Sequence, residues 1–145
     1  MRLDDEEARK RFVAARVARL ATAGVDGVPH LVPVTFAVVG DEIFFAVDHK
    51  PKTTTDLRRL RNIAANPAVS FLTDEYDDDW ARLWWVRADG AARLLDTTAD
   101  RAAPVRRLQE KYPQYHDHPP TGVVVATTVS TWHGWSSTGQ FPVRS

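Results

Sequence analysis

Apolar and β-branched residues come in short runs that alternate with turn-forming residues along the first third of the chain. Residues 16–22, 28–39 and 42–47 are such runs, and each has the composition of a β-strand. The sequences GVDG at 24–27 and GD at 40–41 between them are typical of tight turns. The pattern predicts strands that pair with their neighbours in the chain, as a meander.

The second half of the chain contains further strand-like runs. Residues 68–73 predict one strand, residues 80–95 a long strand or a hairpin broken at Asp89-Gly90, and residues 122–135 a last β-rich segment. Pro29 and Pro33 place the earlier run at a sheet edge, a bulge or a strand start, because proline cannot donate to the strand ladder.

Three helices are predicted from start signals and helical periodicity. Asp4, with Glu7 three residues later, has the form of a capping box at the start of the first helix. The sequence TTTD at 53–56 carries a similar signal for a second helix, which Asn66-Pro67 ends, and residues 97–111 predict the third. Adjacent strands outnumber helices. The fold class expected is therefore mainly β (α+β), a small antiparallel barrel with about three peripheral helices.

The composition and net charge of the chain exclude or disfavour several classes of function. The chain has 145 residues, 43% of them hydrophobic, so a single domain over residues 1–145 is expected. A net charge of +0 disfavours nucleic-acid binding, and the lack of cysteine excludes disulfides, thiolate nucleophiles and cysteine-ligated zinc. No signal peptide and no run of about 18 apolar residues is seen. We therefore expect no membrane contact and a cytoplasmic protein.

Charge is nevertheless uneven, and one region favours a small anionic ligand. Residues 48–61 hold five Lys or Arg and two Asp, a net charge of +3. Here a strand leads into a basic, hydroxyl-rich loop and then a helix start, an arrangement suited to phosphate. The candidate phosphate-binding residues are Lys50, Lys52, Thr53, Thr54, Arg58 and Arg61. A capped, solvated surface helix is the alternative interpretation.

The strand before this loop is a second candidate. A proline at a strand edge leaves neighbouring backbone groups outside the ladder, where they could hydrogen-bond a planar heterocycle. Pro33, Val34, Thr35 and Phe36 are the residues concerned, and Thr35 adds a hydroxyl. A strand with an ordinary bulge explains the same residues.

Aromatic residues and histidines complete the set of candidates. Trp84 and Trp85 are adjacent, so in a strand their rings point to opposite faces, and one of them faces solvent, a partner or a ligand. His116 and His118 make only a weak metal site, so no metal is expected. No Ser-His-Asp grouping, Gly-x-Gly-x-x-Gly or Walker A motif occurs, and the catalytic residues are left unassigned.

These residues, taken in order, resemble a known family. The chain is similar to the pyridoxamine 5′-phosphate oxidase-like split β-barrel flavoproteins, and more narrowly to their actinobacterial branch that uses the deazaflavin coenzyme F420. The matching segments are ARLAT at 18–22, PHLVPV at 29–34, IFFAVD at 43–48, KPK at 50–52, LRRLRNI at 57–63, NPAVS at 66–70, LWWVR at 83–87 and Gly90.

The resemblance implies a fold, a partner and roles for the candidate residues. It implies an FMN-binding-like antiparallel split barrel that forms a homodimer with cofactor sites at the interface. The strand at Val32 to Phe36 would lie along the cofactor ring, and the segment from Lys50 to Arg61 would take the phosphate. Trp84, Trp85 and the segment at 132–135 are the candidates to reach the partner's site. Many relatives have a compact Arg-x-Lys-x-x-Asn pattern, whereas here the lysines lie further upstream.

The function expected from this resemblance is an F420-dependent oxidoreductase that transfers a hydride between the reduced deazaflavin and a small organic substrate. The cofactor would carry the chemistry while the protein positions it. Two alternatives stay open. One is an FMN-binding oxidase or reductase of the same fold, and the other is a non-catalytic protein that binds a flavin or haem. An oligonucleotide-binding barrel is disfavoured by the neutral charge.

Overall fold

The structure is a computed structural model that describes residues 1–47 and 57–138. Within these residues it contains three α-helices and eight β-strands, with 3₁₀ turns at Trp80–Arg82 and Pro113–Tyr115. The helices are α1 (Asp5–Ala14), α2 (Arg58–Ala65) and α3 (Thr98–Lys111). The strands are β1 (Arg2–Leu3), β2 (Ala18–Ala23), β3 (Pro29–Val34), β4 (Ala37–Val39), β5 (Glu42–Ala46), β6 (Ala68–Glu75), β7 (Trp84–Leu95) and β8 (Val124–Ser136).

All eight strands belong to one antiparallel sheet, in the order β3-β2-β6-β7-β8-β5-β4, with β1 paired to β8. Among the described residues the two end strands, β3 and β4, do not pair with each other, so the barrel is split rather than closed. The predicted mainly β fold with about three helices is confirmed. The position of β3 at one end of the sheet also explains how it accommodates Pro29 and Pro33.

The predicted meander is wrong beyond its two hairpins. β2 pairs with β3 and β4 pairs with β5, as the turn signals indicate. However, β3 and β4 are consecutive in the chain and lie at opposite ends of the sheet, joined by Thr35 and Phe36. The long strand β7 continues through Asp89-Gly90, which forms a bulge against β8 and not a hairpin turn.

Helix ends follow the sequence signals where those residues are described. The Asp4 side chain accepts a hydrogen bond from the Glu7 N–H at 2.8 Å, and Thr97 caps α3 in the same way. The described part of α2 begins at Arg58, with Leu57 at the N-cap position and no side-chain cap. The predicted start signal at 53–56 lies outside the described residues. Asn66 ends α2, as expected before proline.

Aromatic residues fill the core of the barrel. Phe12 of α1 lies 4.8 Å from Phe36 and 5.4 Å from Trp132, measured between ring centroids, and packs edge-on against Phe71. Phe12, Phe36 and Phe71 are fully buried. Rings of this size contribute much of the apolar area buried on folding, so they fix where the link between β3 and β4 runs.

One face of the strands from β3 to β8 points away from the core, and we call it the outer face. Helix α3 covers only one end of this face, through Val105 against Val124 and Ala126, and the rest exposes large apolar groups, with Leu31 67% and Trp135 38% exposed. Cross-strand register places its members in rows. They are Arg19, Leu31, Leu72, Asp74, Trp85, Arg87, Asp89, His133 and Trp135.

Among the described residues, no helix has the length and apolar character that crossing a membrane would require.

Candidate functional site

The link between β3 and β4 carries two of the predicted site residues, Thr35 and Phe36. Pro33 is exposed on the edge strand, Val34 is buried, and Phe36 is fully buried in the core. Thr35 is half-buried between them and keeps its hydroxyl at the rim. The structure thus holds these residues in one stretch at the end of β3, as the sequence indicates.

A tyrosine from α3 fixes this link. The Phe36 N–H donates to the Tyr112 hydroxyl at 3.0 Å. That hydroxyl has one hydrogen, which can go to the Arg16 carbonyl oxygen at 2.8 Å or to the Phe36 carbonyl oxygen at 3.1 Å. Burial raises the pKa of the Tyr112 phenol, so the group stays protonated and keeps its donor at neutral pH.

A second tyrosine lies one turn further along the chain. The Tyr115 hydroxyl is 3.3 Å from the Thr35 hydroxyl. Both line an open groove of about 460 Å³, which we call the hydroxyl groove; its wall is completed by Arg16, Val17, Tyr112 and Gln114. No carboxylate is among these lining residues. The groove therefore offers neutral donors, an aromatic wall and one cation.

Lys111 lies against the Phe36 and Tyr112 rings and lines a separate cavity next to the hydroxyl groove. Its Nζ is 3.7 Å from the centroid of the Phe36 ring and donates a long hydrogen bond, 3.4 Å, to the Val13 carbonyl oxygen. Burial, together with the nearby charge of Arg16, lowers the pKa of Lys111 to about 8. A fraction of this amine is therefore neutral at physiological pH.

The arginines of α2 border a different groove, which we call the arginine groove. It has a volume of about 480 Å³ and lies between α2 and the β2–β3 turn, lined by Gly24, Val25, Asp26, Arg58, Arg61, Asn62 and Ala65. Asn62 donates from its Nδ2 to the Thr22 hydroxyl at 3.0 Å, which ties the helix to β2. A side chain at Gly24 would place its Cβ 2.6 Å from the Asn62 Oδ1, so the turn and the helix approach closely.

Arg59 of the same helix has an orphaned group. Its Nε is buried and has no hydrogen-bond partner among the described residues, and burial lowers the pKa of its guanidinium. Arg58 and Arg61, which line the arginine groove, carry the charge that an anionic phosphate would pair with. The residues present thus fit a cofactor with an anionic tail, and Lys50, Lys52, Thr53 and Thr54, predicted to share this role, lie outside the described residues.

The two grooves lie at opposite ends of one edge. In the β2–β3 hairpin, His30 pairs with Thr22 near the turn, whereas Val34 pairs with Ala18 next to Thr35. β3 has six residues, which corresponds to about 20 Å at ~3.3 Å per residue. An elongated ligand with a ring at one end and an anionic group at the other could follow this edge.

Trp84 and Trp85 point to opposite faces of β7, as the sequence predicts. Trp84 is buried and donates from its Nε1 to Glu75 at 3.1 Å, and Trp85 points to the outer face and is half-buried. Trp132 is buried with its Nε1 on Asp41 at 3.1 Å, so within this chain it belongs to the core. Trp135, 38% exposed, remains available to a partner.

The sequence does not indicate which residues from other parts of the chain lie near Thr35. These neighbours are Tyr112, Tyr115, Arg16 and Lys111. The only local signal is the KYPQY sequence at the end of the third helix, where two tyrosines flank a proline turn. The histidines at 116 and 118 form no cluster of three metal-ligating residues within the described part of the chain.

An antiparallel sheet whose two end strands do not pair among the described residues defines a split-barrel protein. The model of the pyridoxamine 5′-phosphate oxidase family matches residues 4–136, and the chain belongs to this family of flavin-binding, oxidoreductase-like proteins.

Similar proteins support the same fold. A conserved hypothetical protein from Mycobacterium tuberculosis superposes with a TM-score of 0.77 at 22% identity, over 94% of this chain and 87% of the other. An FAD-binding protein from Mesorhizobium loti gives 0.70 at 23% identity, over 92% and 95%. In sequence, a 5a,11a-dehydrotetracycline/5a,11a-dehydrooxytetracycline reductase from Streptomyces rimosus is 39% identical over 57 residues, 39% of each chain. The match thus spans well under half the length of that relative.

Replacing Tyr112 by phenylalanine tests the tie to the β3–β4 link. Tyr112→Phe leaves the buried Phe36 N–H without its acceptor, so we expect a loss of about 1–3 kcal/mol in the free energy of unfolding. The matched Tyr115→Phe variant loses only its contact with the half-buried Thr35 and should lose less than about 1 kcal/mol. Urea denaturation measures both, and equal losses would contradict this assignment.

The lowered pKa of Lys111 predicts a pH effect on stability. In the unfolded chain this amine has a pKa near 10.5, and in the folded protein about 8. Between these values the unfolded state binds more protons, so the free energy of unfolding gains a contribution that rises with pH. Wild type should therefore gain stability relative to Lys111→Met when urea denaturation is repeated at a pH of about 7.5 and then about 9.5. Parallel behaviour of the two proteins would show that burial does not shift this group.

Proposed function

We propose that this protein is an F420-dependent reductase that transfers a hydride from the reduced deazaflavin to a conjugated small organic substrate. The observation that carries the proposal is the pair of grooves along β3, one lined with hydroxyls and the other with arginines. Family membership supports the redox chemistry, and the reductase named among the similar proteins supports the direction of transfer.

Some residues of this chain would bind the anionic tail of the cofactor, and others would position its ring. The reduced deazaflavin, when bound, supplies the hydride. Arg58 and Arg61, which line the arginine groove, would hold its anionic tail. The backbone of the edge strand from Pro33 to Thr35 would lie along the ring.

The hydroxyl groove would receive the substrate. Reducing a carbon–carbon double bond conjugated to a carbonyl group adds a hydride to one carbon and a proton to the other. The Thr35 and Tyr115 hydroxyls, 3.3 Å apart, can hydrogen-bond the substrate carbonyl oxygen, and Tyr115 can donate a proton to that oxygen and regain it from solvent. The enol so formed returns to the carbonyl form by taking its second proton at carbon and releasing the one on oxygen. Val17 and the Tyr112 ring form an apolar wall against which a planar ring system can pack.

A flavin is the second candidate for the cofactor. The likeness in fold to an FAD-binding protein favours it. We prefer the deazaflavin because the arginine groove extends as far as the β2–β3 turn, beyond what a single terminal phosphate requires, and because a longer anionic tail would occupy that length.

Titration of the purified protein with F420, FMN and FAD tests this proposal. We expect F420 to bind most tightly, and Arg58→Ala/Arg61→Ala to raise its Kd about tenfold or more at low salt because two charge-assisted contacts are lost. The exposed arginine of α3 provides a matched control, Arg106→Ala, which should leave the Kd unchanged. Tighter binding of FMN or FAD would show that the cofactor is a flavin and not F420. An unchanged Kd for the double variant would show that the arginine groove is not part of the cofactor site.

We further propose that a second copy of this chain covers the outer face. Leu31, Leu72 and Trp135 expose apolar area there, which isolated domains seldom leave in one patch. Arg87 and Asp89 lie on the same face, and a two-fold contact can bring opposite charges of such a patch together. The dimer would place the half-buried Trp85 at the interface.

Light scattering after size-exclusion chromatography tests the dimer. Wild type should have the mass of two chains, and Leu72→Glu should shift it towards one chain, because a charge would be buried without a partner. Val25→Glu is the control, because Val25 is 94% exposed in the β2–β3 turn and lies outside the rows of the outer face. A monomeric wild type, or a dimer insensitive to Leu72→Glu, would exclude this interface.

A further inference from the structure

Arg16 is held in a fixed position at the mouth of the hydroxyl groove. It lies between α1 and β2, and its side chain donates through Nη2 to the carbonyl oxygen of Lys111 at 2.8 Å. Its guanidinium carbon lies 4.9 Å from the centroid of the Tyr112 ring. Two contacts with α3 therefore set the position of this cation before any ligand arrives, which reduces the conformational entropy lost on binding.

This guanidinium pairs with no carboxylate in the described residues. Several arginines of this chain do have such a partner, as Arg87 has Asp89 and Arg93 has Glu42, whereas Arg16 donates to a backbone carbonyl, as Arg9 and Arg101 do. Its described contacts are a backbone carbonyl and an aromatic ring, and the hydroxyl groove contains no acid, whereas Asp74 and Glu75 line a second cavity that Arg16 also borders. A guanidinium has five N–H donors, so several remain for a ligand after the bond to Lys111.

The groups around Arg16 indicate which kind of ligand the hydroxyl groove can bind. The Thr35 and Tyr115 hydroxyls can also donate to an oxygen, and Gln114 adds an amide at the rim. The half-buried Lys111 adds a second positive charge nearby. A cationic ligand would be repelled here, and a neutral ligand would leave Arg16 without its counter-charge.

We propose that Arg16 is the specificity-determining residue of the hydroxyl groove and selects planar, conjugated substrates that carry an ionised enol or phenol oxygen. The inference rests on the proposed reductase function and names its substrate class. The guanidinium would bind the ionised oxygen, while Thr35 and Tyr115 bind the neighbouring carbonyl oxygen of the same conjugated system. A vinylogous acid presents both oxygens in one plane, which suits a planar donor beside two hydroxyls.

Two naphthoquinones that differ in charge and by a single methyl group provide the test. Lawsone (2-hydroxy-1,4-naphthoquinone) is ionised at neutral pH, and its methyl ether, 2-methoxy-1,4-naphthoquinone, is neutral. Binding to the protein without cofactor can be followed by quenching of intrinsic fluorescence. We expect wild type to bind lawsone about 10- to 100-fold more tightly than the ether, and Arg16→Gln to remove that preference while leaving affinity for the ether unchanged.

Control variants keep this test decisive. Arg16→Lys retains the charge without the planar fork and should recover part of the preference, whereas Arg106→Gln, on an exposed part of α3, should behave as wild type. Equal affinity of wild type for the two quinones, or a preference that survives Arg16→Gln, would overturn the inference.

Turnover separates this inference from the reductase proposal. Both quinones accept a hydride, so reduced F420 can be oxidised by either one in a steady-state assay. An Arg16-dependent preference in binding without any turnover would support the anion site and contradict the reductase function. Turnover of both quinones with no effect of Arg16→Gln on KM would support the reductase function and overturn the anion site.

Discussion

The hydrogen bonds of the Tyr112 hydroxyl stabilise the connection between β3 and β4, which the hydrogen bonds of the sheet do not reach. Strands β3 and β4 are consecutive in the chain and lie at opposite ends of the sheet, so their connection has no ladder to satisfy its backbone. A buried N–H or carbonyl without a partner costs about 1–3 kcal/mol. One phenol accepts from the Phe36 N–H and gives its single hydrogen to the carbonyl oxygen of Phe36 or of Arg16. Helix α3, the start of β2 and the open edge of the barrel are thereby coupled.

This coupling also determines where the hydroxyl groove lies. Because Phe36 is fixed in the core, Thr35 must stand at the rim, with its hydroxyl directed to Tyr115. The same edge strand then runs to the β2–β3 turn, where Asn62 holds α2 and its arginines against Thr22. A ligand that follows the edge meets neutral donors at one end and positive charge at the other, without any large movement of the protein.

Local signals in the sequence predict much of this structure. The Asp4 cap, the β2–β3 turn, the end of α2 before Pro67 and the placement of proline-containing β3 at an edge all depend on neighbours within a few residues. The choice of Thr35 and Arg58 as candidate site residues rests on the same local patterns. The contact between Tyr112 and Phe36 spans 76 residues, and no period or motif encodes a pairing at that separation. The separation of the two hairpins to opposite ends of the sheet is equally non-local, which is why a meander was expected.

Gly24 and Asn62 illustrate how such a packed edge constrains sequence divergence. A Cβ at position 24 would lie 2.6 Å from the Asn62 Oδ1, and Asn62 is itself fixed by Thr22. Neither position can change freely on its own, because a larger turn residue needs a smaller or differently directed residue on α2. Across a set of related sequences the two positions should therefore vary together. This covariation would result from the close approach of the turn to the helix.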